Sequence, residues 1–520
     1  LQNSSFDPGG WLYPPEPVDG HARLDLRVYP RYNFYLAGEK KGEFIIDTPV
    51  QTSAGTAYKN ETFDYKAANK SEKVPFTWMN VQITNIQTKA ILVNWTRIPV
   101  NTTGNVVKFD LSSFPADLSH PWTVNAIGAS PDGLQTYYSG AQVSVLPPRN
   151  DAGSVARIDN LHGGIQTQSS LTNGTWKTLF PYSFYTSWDW ISSTITNTSS
   201  TKNLTTFRSL GYNLIHPVPP GGSDPFDAAL FDRFLTICDS LSLYVMYDMR
   251  HTYRNTTSVS LQLSRLQHHP SLLLYYTADE PDGHSDPLNA TRLSYAHIRS
   301  LDPYHPVSLV LNCANFHFEA YTSGAADIIL EDVYPIAVNT SFSTVYHTTC
   351  NTTYGDCGCD NCHANDPDYP SYVRNPFLDI STRVDALYAF QGWLKQSGGH
   401  EPQTKPIWGV PQAFFDEGSF WTRWPTGREE LVMAMLRVVH GAKGIVAWIY
   451  PTSGEIEDAT AGLARVFDGG GGGKGEEDVA AFVLGAKRTM LVVEGGDGLV
   501  DAAAWIKGSV ALVAYVHMSY

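Results

Sequence analysis

The first 150 residues alternate between apolar and polar positions over short stretches, which is the pattern of β-strands. Runs such as VPFTWMNVQITN, KAILVNWTRI and NVVKFDLSSF are rich in Val, Ile, Thr and aromatic residues, and turn-forming residues separate them. Two sheets of such strands can pack their apolar faces against each other and bury a common core. The pattern predicts an N-terminal antiparallel β-sandwich over residues 1–150, which ends near the pair Pro147–Pro148.

From residue 151 the pattern changes to apolar strands that alternate with polar loops and amphipathic helices. Eight candidate strands cover residues 181–188, 212–218, 242–249, 271–280, 306–313, 326–335, 405–415 and 444–451. Such a repeat predicts a (β/α)8 TIM barrel over residues 151–465, with functional groups at the C-terminal strand ends. An open doubly wound sheet is the alternative, but no strand is followed by the glycine-rich turn that binds nucleotides in that fold.

The last part of the chain begins with a glycine-rich stretch, DGGGGGKGEED. No Ser or Thr follows Lys474 and no strand precedes the glycines, so the stretch is a linker and not a phosphate-binding loop. The residues after it form short apolar runs. We therefore expect residues 466–520 to be a linker followed by C-terminal β-strands that pack on the barrel, an element that need not be complete.

Composition and charge exclude several classes of partner. Apolar residues make up 42% of the chain and charged residues 17%, and the net charge is −15 without any Lys/Arg-rich run. A nucleic acid or an anionic membrane surface would require a basic patch, so neither is expected as a partner. No apolar run approaches the roughly 20 residues that a membrane-spanning helix needs. The chain begins LQNSSFDPGG, without Met or a signal peptide, which is typical of a processed product.

Glycosylation signals predict a secreted, extracellular protein. The pattern N-x-[ST] is spread along the whole chain, and this frequency is hard to explain by chance. It occurs at Asn3, Asn60, Asn69, Asn94, Asn101, Asn173, Asn197, Asn203, Asn255, Asn289, Asn339 and Asn351.

The six cysteines are consistent with an oxidising compartment. Four of them, Cys350, Cys357, Cys359 and Cys362, lie within CNTTYGDCGCDNCH, where two disulfide bonds of undetermined pairing are expected. In a reducing compartment the same cluster, with His363 in reserve, would indicate zinc. Cys238 and Cys313 either form a third bridge or remain buried thiols.

The ends of the predicted strands carry carboxylates and aromatic residues. The carboxylates are Asp248, Asp279, Glu280, Glu331 and Asp332, and the other candidates are Tyr185, Trp188, His216, Arg250, His251, Tyr276, Asn312, Tyr334, Gln412 and Trp448. Aromatic rings stack on the C–H faces of pyranose sugars, and paired carboxylates cleave glycosidic bonds. Because no cofactor motif accompanies them, the pattern predicts sugar chemistry without a metal or an organic cofactor.

The fourth predicted strand ends in YYTADEPDG, which resembles the Asn-Glu-Pro strand end of the large clan of retaining glycosidases built on (β/α)8 barrels. The stretch RWPTGREELVMAMLRVVHGAKGIVAWIY, residues 423–450, resembles the helix and eighth strand of such barrels. In that clan the Glu is the general acid/base, and a Trp on the eighth strand lines the sugar site. The resemblance therefore implies that Glu280 is the proton donor and that Trp448 is a platform under the sugar.

Two positions depart from the pattern of that clan. Asp279 stands where the clan has Asn, and the seventh strand offers Gln412 where the clan has a nucleophilic Glu, which an amide cannot replace. Three mechanisms remain open. In the first, Glu280 pairs with Asp332 or Glu331, only one of which can face the interior because side chains alternate along a strand. In the second, Asp279 and Glu280 act as in substrate-assisted hexosaminidases. In the third, Asp248 is the base.

The sequence thus predicts a secreted glycoside hydrolase that degrades a plant or fungal cell-wall oligo- or polysaccharide, with a monomer favoured. A different class is a non-catalytic carbohydrate-binding or cell-wall protein on a degenerate barrel, which the missing seventh-strand Glu would favour. A second carboxylate within about 10 Å of Glu280 would favour the enzyme. A serine hydrolase has no support because no G-x-S-x-G motif occurs.

Overall fold

The structure of the protein is a computed structural model. It describes residues 10–63, 72–196, 202–222, 225–312, 315–338, 342–343, 348–349, 375–399, 401–416, 421–469, 478–494 and 498–519. In this part of the chain no helix is both long and apolar enough to cross a membrane.

Antiparallel sheets form the N-terminal region, as the alternating pattern predicts. One sheet has the strand order Ile91–Pro99, Trp78–Asn85, Trp122–Ala129 and Thr136–Val143, and a second has the order Asn105–Asp110, Lys41–Asp47 and Arg27–Pro30. Along Trp78–Asn85 every second residue is buried. These residues join a common core that includes Phe44, Ile46, Met79, Val81, Ile83, Val124 and Phe109.

Shorter strands complete this region. They are Arg23–Leu24 between Val50–Gln51 and Thr56–Ala57, the pair Glu61–Phe63 and Lys73–Pro75, and Tyr35–Leu36 beside Val145–Leu146. The last pair is parallel, whereas the other pairs are antiparallel.

A small sheet that the sequence analysis did not predict closes the bottom of the barrel. Its antiparallel strands are Val155–Ile158, Ile165–Gln168 and Lys177–Leu179. Ile158, Ile165 and Leu179 pack in the same cluster as residues that point into the barrel interior. The backbone N–H of Ala156 also donates to the carbonyl of Tyr304, just before the fifth barrel strand. The functional end of the barrel is therefore the opposite, C-terminal end.

Eight parallel strands close into a barrel, so the predicted TIM barrel is confirmed and the open doubly wound sheet is wrong. The strands, here called the first to the eighth barrel strand, are Tyr182–Ser187, Leu214–Val218, Tyr244–Asp248, Leu272–Asp279, Val307–Val310, Ile328–Glu331, Ile407–Gly409 and Ile445–Tyr450. Closure is direct, because the first strand pairs with the eighth at Tyr182 and Ile445.

Helices surround the barrel. They are Trp188–Thr196, Lys202–Ser209, Ala228–Leu241, Thr256–Leu266, Ala290–Leu301, Phe318–Thr322, Leu378–Gln396, Gly427–Val439, Gly454–Phe467 and Val479–Val483, with 3-10 turns at Leu111–Ser113 and Ser170–Thr172. The helix before the eighth strand begins with a capping box, in which Thr426 and Glu429 satisfy each other's backbone N–H groups. Two short strands, Phe342–Ser343 and Thr348–Thr349, pair after the sixth barrel strand.

The C-terminal residues form an antiparallel sheet of Arg488–Leu491, Val500–Lys507 and Val510–His517. Trp505 is fully buried in the same cluster as the helices of the barrel, so this sheet packs on the barrel as predicted. The predicted boundary at residue 465 falls inside the helix Gly454–Phe467, and the glycines at 470–473 lie outside the described residues.

Candidate active site

Two carboxyl side chains meet at the C-terminal mouth of the barrel. Glu280 directly follows the fourth strand, and its backbone N–H donates to the carbonyl of Val310 on the fifth strand at 3.1 Å. Asp332 directly follows the sixth strand and lies two residues after Leu330, which points into the barrel. The carboxyl groups of Glu280 and Asp332 lie close enough to each other to form a hydrogen bond when one of them carries a proton. Because burial raises the pKa of both carboxyls, this arrangement favours a pair that holds one proton and one negative charge.

The environment of this pair disfavours two negative charges. Burial raises the pKa of the Asp332 carboxyl well above its usual value, and the negative charges of Glu280, Glu331 and Asp279 raise it further. Burial also raises the pKa of Glu280, although the hydrogen bonds from Asp332 and from the side chain of Asn312 oppose this effect. The site therefore resists losing its shared proton.

The loop after the fourth strand holds Asn312 beside Glu280. Asp282 accepts a hydrogen bond from the backbone N–H of Asn312 at 2.8 Å, and the Asn312 side-chain Nδ2 donates to Glu280 Oε2 at 3.4 Å. A side chain at Gly283 would place its Cβ 3.2 Å from Asn312 Nδ2, so glycine allows this close approach. Burial raises the pKa of Asp282 to about 7. Sequence reasoning did not select Asp282, although it stands in the same Asp-Glu-Pro-Asp-Gly segment.

A layer of paired charges lies beside the carboxyl pair. Arg250 donates from Nε to Asp248 Oδ2 at 2.8 Å and from Nη1 to Asp279 Oδ2 at 2.7 Å. Tyr276 donates to the other oxygen of Asp279 at 2.5 Å, and His216 Nε2 lies 2.8 Å from Asp248 Oδ2. Both oxygens of Asp279 are thus occupied, and Asp248 is bound between a histidine and an arginine.

Burial and charge act in opposite directions on these groups. Burial alone would raise the pKa of Asp248, but Arg250 and the hydrogen bond from His216 hold that pKa below its usual value. Burial lowers the pKa of His216 in spite of the attraction of Asp248. At neutral pH, Asp248 is therefore ionised and His216 is neutral.

Aromatic rings line the same mouth. The Arg250 guanidinium lies 5.6 Å from the ring centre of Tyr185, 5.5 Å from that of Tyr276 and 5.2 Å from that of Trp448. Tyr185 and Tyr276 are fully buried, whereas Trp448 is half-buried. Tyr334 is also half-buried, and its ring packs edge-on against Phe414 at 5.2 Å. Trp448 and Tyr334 thus expose apolar ring surface where a sugar could stack.

Glu331 does not belong to the site. Its side chain points out of the barrel, and its Oε2 lies 2.5 Å from Arg437 Nε on the helix Gly427–Val439. The alternation along the strand gives Asp332 the inward position, so Asp332 and not Glu331 is the neighbour of Glu280. Arg437, a fully buried cation, was not selected from the sequence.

Gln412 and Trp188, two of the predicted sugar contacts, are buried away from the mouth. Gln412 is completely buried, and its amide binds the backbone of Ile336 at 3.0 and 3.1 Å, which leaves it no surface for a ligand. Trp188 begins a helix and packs among Phe226, Phe231 and Phe234 instead of facing the mouth. His251 is exposed in the turn after the third strand, so its contact with a sugar stays a prediction.

The glycosylation signals that the structure describes are all on the surface. The acceptors Asn60, Asn94, Asn101, Asn173, Asn203, Asn255 and Asn289 are exposed. Asn3, Asn69, Asn197, Asn339 and Asn351 lie outside the described residues, so their placement is not described. Exposure is necessary for glycosylation, and occupancy stays a prediction.

Cys238 is a buried, free thiol on the helix Ala228–Leu241. Cys313 and the predicted disulfide cluster Cys350, Cys357, Cys359 and Cys362 lie outside the described residues, and so does His363. Within the described ranges, no group of three or more His, Cys, Asp or Glu side chains could hold a metal ion.

Comparisons with known proteins give remote structural neighbours. No protein-family profile and no curated protein matches the sequence. Among solved structures, a β-glucuronidase from Ruminococcus gnavus in complex with uronic deoxynojirimycin is 9% identical with a TM-score of 0.36, over 84% of this chain and 62% of that chain. A β-glucuronidase from Parabacteroides merdae is 11% identical with a TM-score of 0.30, over 83% and 47% of the two chains.

An FMN-binding β-glucuronidase from F. prausnitzii L2-6 is 8% identical with a TM-score of 0.33, over 95% of this chain and 73% of that chain. The neighbours are thus β-glucuronidases, and this chain spans about 62% of the length of the first of them. This similarity is too remote to assign a function to the chain, whereas the side chains at the barrel mouth define a candidate chemistry.

Proposed function

We propose that this chain is a glycoside hydrolase in which Glu280 and Asp332 are the two catalytic carboxyl groups. The observation that carries the proposal is that the two buried carboxyls interact with each other at the C-terminal mouth of a closed (β/α)8 barrel. One proton and one negative charge on adjacent carboxyls are what glycosidic cleavage needs, because one group must protonate the leaving oxygen and the other must act at the anomeric carbon.

The contact between the two carboxyls favours retention of anomeric configuration. Inverting glycosidases hold their carboxyls about 6.5–9.5 Å apart to admit a water molecule between them, whereas retaining enzymes hold them about 5 Å apart. Hydrogen-bonded carboxyls leave no room for that water. The half-buried rings of Trp448 and Tyr334 supply stacking surfaces beside the pair.

The observed contacts disfavour the two other mechanisms that the sequence leaves open. A substrate-assisted reaction needs Asp279 to orient an acetamido group, but both Asp279 oxygens are occupied by Arg250 and Tyr276. Asp248 as a base would have to act while buried and paired with Arg250 and His216. A non-catalytic binding protein would not need a second carboxyl beside Glu280, which Asp332 provides.

The expected substrate is an oligo- or polysaccharide of plant or fungal cell walls, met outside the cell. The exposed sequons support secretion, and the acidic net charge gives no support for a nucleic acid or anionic membrane as partner. This chain's own residues suffice for the reaction, so no metal or organic cofactor is included in the proposal.

A substrate panel tests the proposal. Aryl glucosides, galactosides, glucuronides and N-acetylhexosaminides, together with cell-wall polysaccharides, are incubated with the full chain, and NMR identifies the anomer released first. We expect hydrolysis with retention. Glu280→Gln should abolish it and Asp332→Asn should greatly slow it on the polysaccharides, whereas the control Asp232→Asn, which changes a surface ion pair with Arg265, should leave it unchanged. Wild-type turnover in either site variant would refute the assignment.

A further inference from the structure

We propose that Asp332 is the proton donor and Glu280 the ionised nucleophile, which reverses the roles that the sequence resemblance implies. This inference rests on the proposed hydrolase function and assigns each carboxyl of the pair one role. It is carried by the hydrogen-bond donors available to each group, by the charges around them and by their unequal burial.

The donors around the pair favour a negative charge on Glu280. Its Oε2 accepts a hydrogen bond from Asn312 Nδ2, and Asp282 holds Asn312 in place through the backbone. Asp332 has no such support, because its Oδ1 is buried and no hydrogen-bond donor reaches it from the described residues. A carboxylate that receives hydrogen bonds is stabilised as an anion, whereas one without donors is better satisfied when it keeps its proton and donates it.

The charges that face Asp332 also favour its protonated form. Glu280 and Asp279 lie on the side of the fourth strand, and Glu331 is its neighbour on the sixth. The nearby cations are already committed, since Arg250 pairs with Asp248 and Asp279, and Arg437 pairs with Glu331.

The charged groups around Glu280 differ from those around Asp332. His284, in the loop after the fourth strand, lowers the pKa of Glu280, whereas the charge of Asp279 raises it. The phenol groups of Tyr334 and Tyr185 also lie near the pair and are neutral, because desolvation raises their pKa values well above the usual value.

Burial separates the two groups further. Asp332 is 7% exposed, whereas Glu280 is half-buried and opens to the mouth of the barrel. Ionising the more deeply buried carboxyl is more costly because less water remains to solvate the charge. In agreement, the pKa of Asp332 is raised well above its usual value by burial and by its three acidic neighbours.

The reaction that follows is balanced in two steps. A Glu280 carboxylate oxygen attacks the anomeric carbon and forms an ester bond, while the glycosidic C–O bond breaks and Asp332 gives its proton to the departing oxygen. In the second step water attacks the anomeric carbon, its proton passes to the Asp332 carboxylate, and the ester bond to Glu280 breaks. The pair returns to one proton on Asp332 and one negative charge on Glu280.

Leaving-group chemistry tests the two roles. The probes are the 2,4-dinitrophenyl and phenyl glycosides of the sugar that the wild-type protein hydrolyses best in the panel. Asp332→Asn is expected to lose on the order of 10³-fold in rate on the phenyl glycoside, because the proton donor is lost. With the dinitrophenyl glycoside it should keep most of the rate of the initial burst of dinitrophenol release, because that leaving group needs no proton, and then turn over slowly, because the second step lacks its base. Glu280→Gln is expected to lose activity on both. The opposite pattern would overturn the role assignment.

Azide provides a second readout on the same variants with the side chain removed. With the dinitrophenyl glycoside and sodium azide, Glu280→Ala should give a glycosyl azide of inverted configuration, because azide occupies the space of the lost nucleophile. Asp332→Ala should give the azide of retained configuration, because azide then attacks the ester on Glu280. Exchanged configurations contradict the proposal, and urea unfolding of each variant establishes that it is folded.

An infrared experiment locates the proton without any substrate. The spectrum of Asp332→Asn is subtracted from that of the wild-type protein, and the protonated-carboxyl band that remains is followed after carboxyl 13C labelling of Asp alone or of Glu alone. We expect the Asp label to shift this band; a shift with the Glu label refutes the inference. If the Asp label shifts the band but no glycoside is hydrolysed, the hydrolase function fails and the proton assignment stands.

Discussion

Glu331 and Asp332 are neighbours on the sixth barrel strand and are both buried, yet their surroundings are opposite. Glu331 points outward and contacts Arg437 through both of its oxygens, at 2.5 and 3.3 Å. Asp332 points inward, where it meets a second carboxyl and no described cation pairs with it. A buried carboxylate with a matched cation stabilises structure, whereas one without keeps a proton that chemistry can use.

The same contrast separates the charges at the barrel mouth. Asp248 on the third strand and Asp279 on the fourth strand both pair with Arg250, so each of these carboxylates has a cationic partner. Glu280 and Asp332 share only a proton. The comparison therefore divides the predicted catalytic carboxylates into two that act as supports, one that lies outside the barrel interior, and a pair in position to react.

The largest expected effect comes from changing Asp332, the inward-pointing carboxyl after the sixth strand. Asp332→Asn should lower kcat/KM for unactivated glycosides on the order of 10³-fold, because the proton donor is lost. The same change should leave the free energy of unfolding within about 1 kcal/mol of the wild-type value, since Asp332 already carries a proton and Asn replaces it with a neutral side chain of the same size. Steady-state kinetics and urea unfolding measure both, and a large loss of stability would contradict the division.

Changes around Glu331, which points outward, should affect stability and not activity. Arg437→Met leaves Glu331 buried without its cation and should cost about 3–5 kcal/mol of unfolding free energy. The double variant Glu331→Gln with Arg437→Met should recover part of this loss, because no uncompensated charge remains. Urea unfolding measures the three variants, and a double variant less stable than Arg437→Met alone would show that charge compensation is not the cause.

A third carboxyl, Asp282, tests whether burial without a cation acts as we infer. In the folded protein the pKa of Asp282 is about 7, above the usual 3.8. The raised pKa therefore contributes to the free energy of unfolding in full below about pH 3.8, and this contribution is lost as the pH rises through 7. The advantage of the wild-type protein over Asp282→Asn in unfolding free energy should therefore fall by roughly 2–4 kcal/mol between pH 4 and 8.

Asp282→Asn keeps the size of the side chain but carries no titratable proton, so its own pH profile is the control. An advantage that stays constant with pH would show that Asp282 titrates normally. A glycosidase assay at one pH then reports whether Asn312 still supports Glu280.

The smallest expected effect concerns His440, a cation that lies between two carboxylates. It is the reverse of the pair of Glu280 and Asp332, where two carboxyls meet and no described cation pairs with Asp332. His440 lies 3.0 Å from Asp385 and 3.0 Å from Asp501, and the hydrogen bonds to them raise its pKa to about 9 against the opposing effect of burial. A raised histidine pKa stabilises the fold below the unfolded value of 6.5, and this stability is lost as the pH rises through about 9.

Because Asp385 is largely exposed, solvent screens the pair and about 1 kcal/mol is expected. Thermal unfolding of wild-type protein and of His440→Gln from pH 6 to 10 measures it. Convergence of the two proteins at high pH agrees with the pKa of His440, and a gap that widens with pH contradicts it.

The sequence by itself determined the eight strands and the position of Glu280, because both depend on local patterns. Apolar runs of five to eight residues between polar loops form strands wherever they pack, and the Asp-Glu-Pro segment necessarily follows the fourth run. The carboxylate-rich mouth followed from the rule that parallel strands end on one side.

Only the tertiary structure decided which carboxyl faces Glu280 and which predicted contacts are buried. A run of apolar residues does not show which of two adjacent residues at its end points into the barrel. Glu331 and Asp332 were therefore equally possible partners of Glu280 until the structure gave the orientation of the sixth strand. Trp188 does not face the mouth because a helix begins at that residue. The side chain of Gln412 is hydrogen-bonded to the backbone of Ile336, 76 residues earlier in the chain. The charges that separate a support from a reactive group come from distant elements, and no local pattern in the sequence contains them.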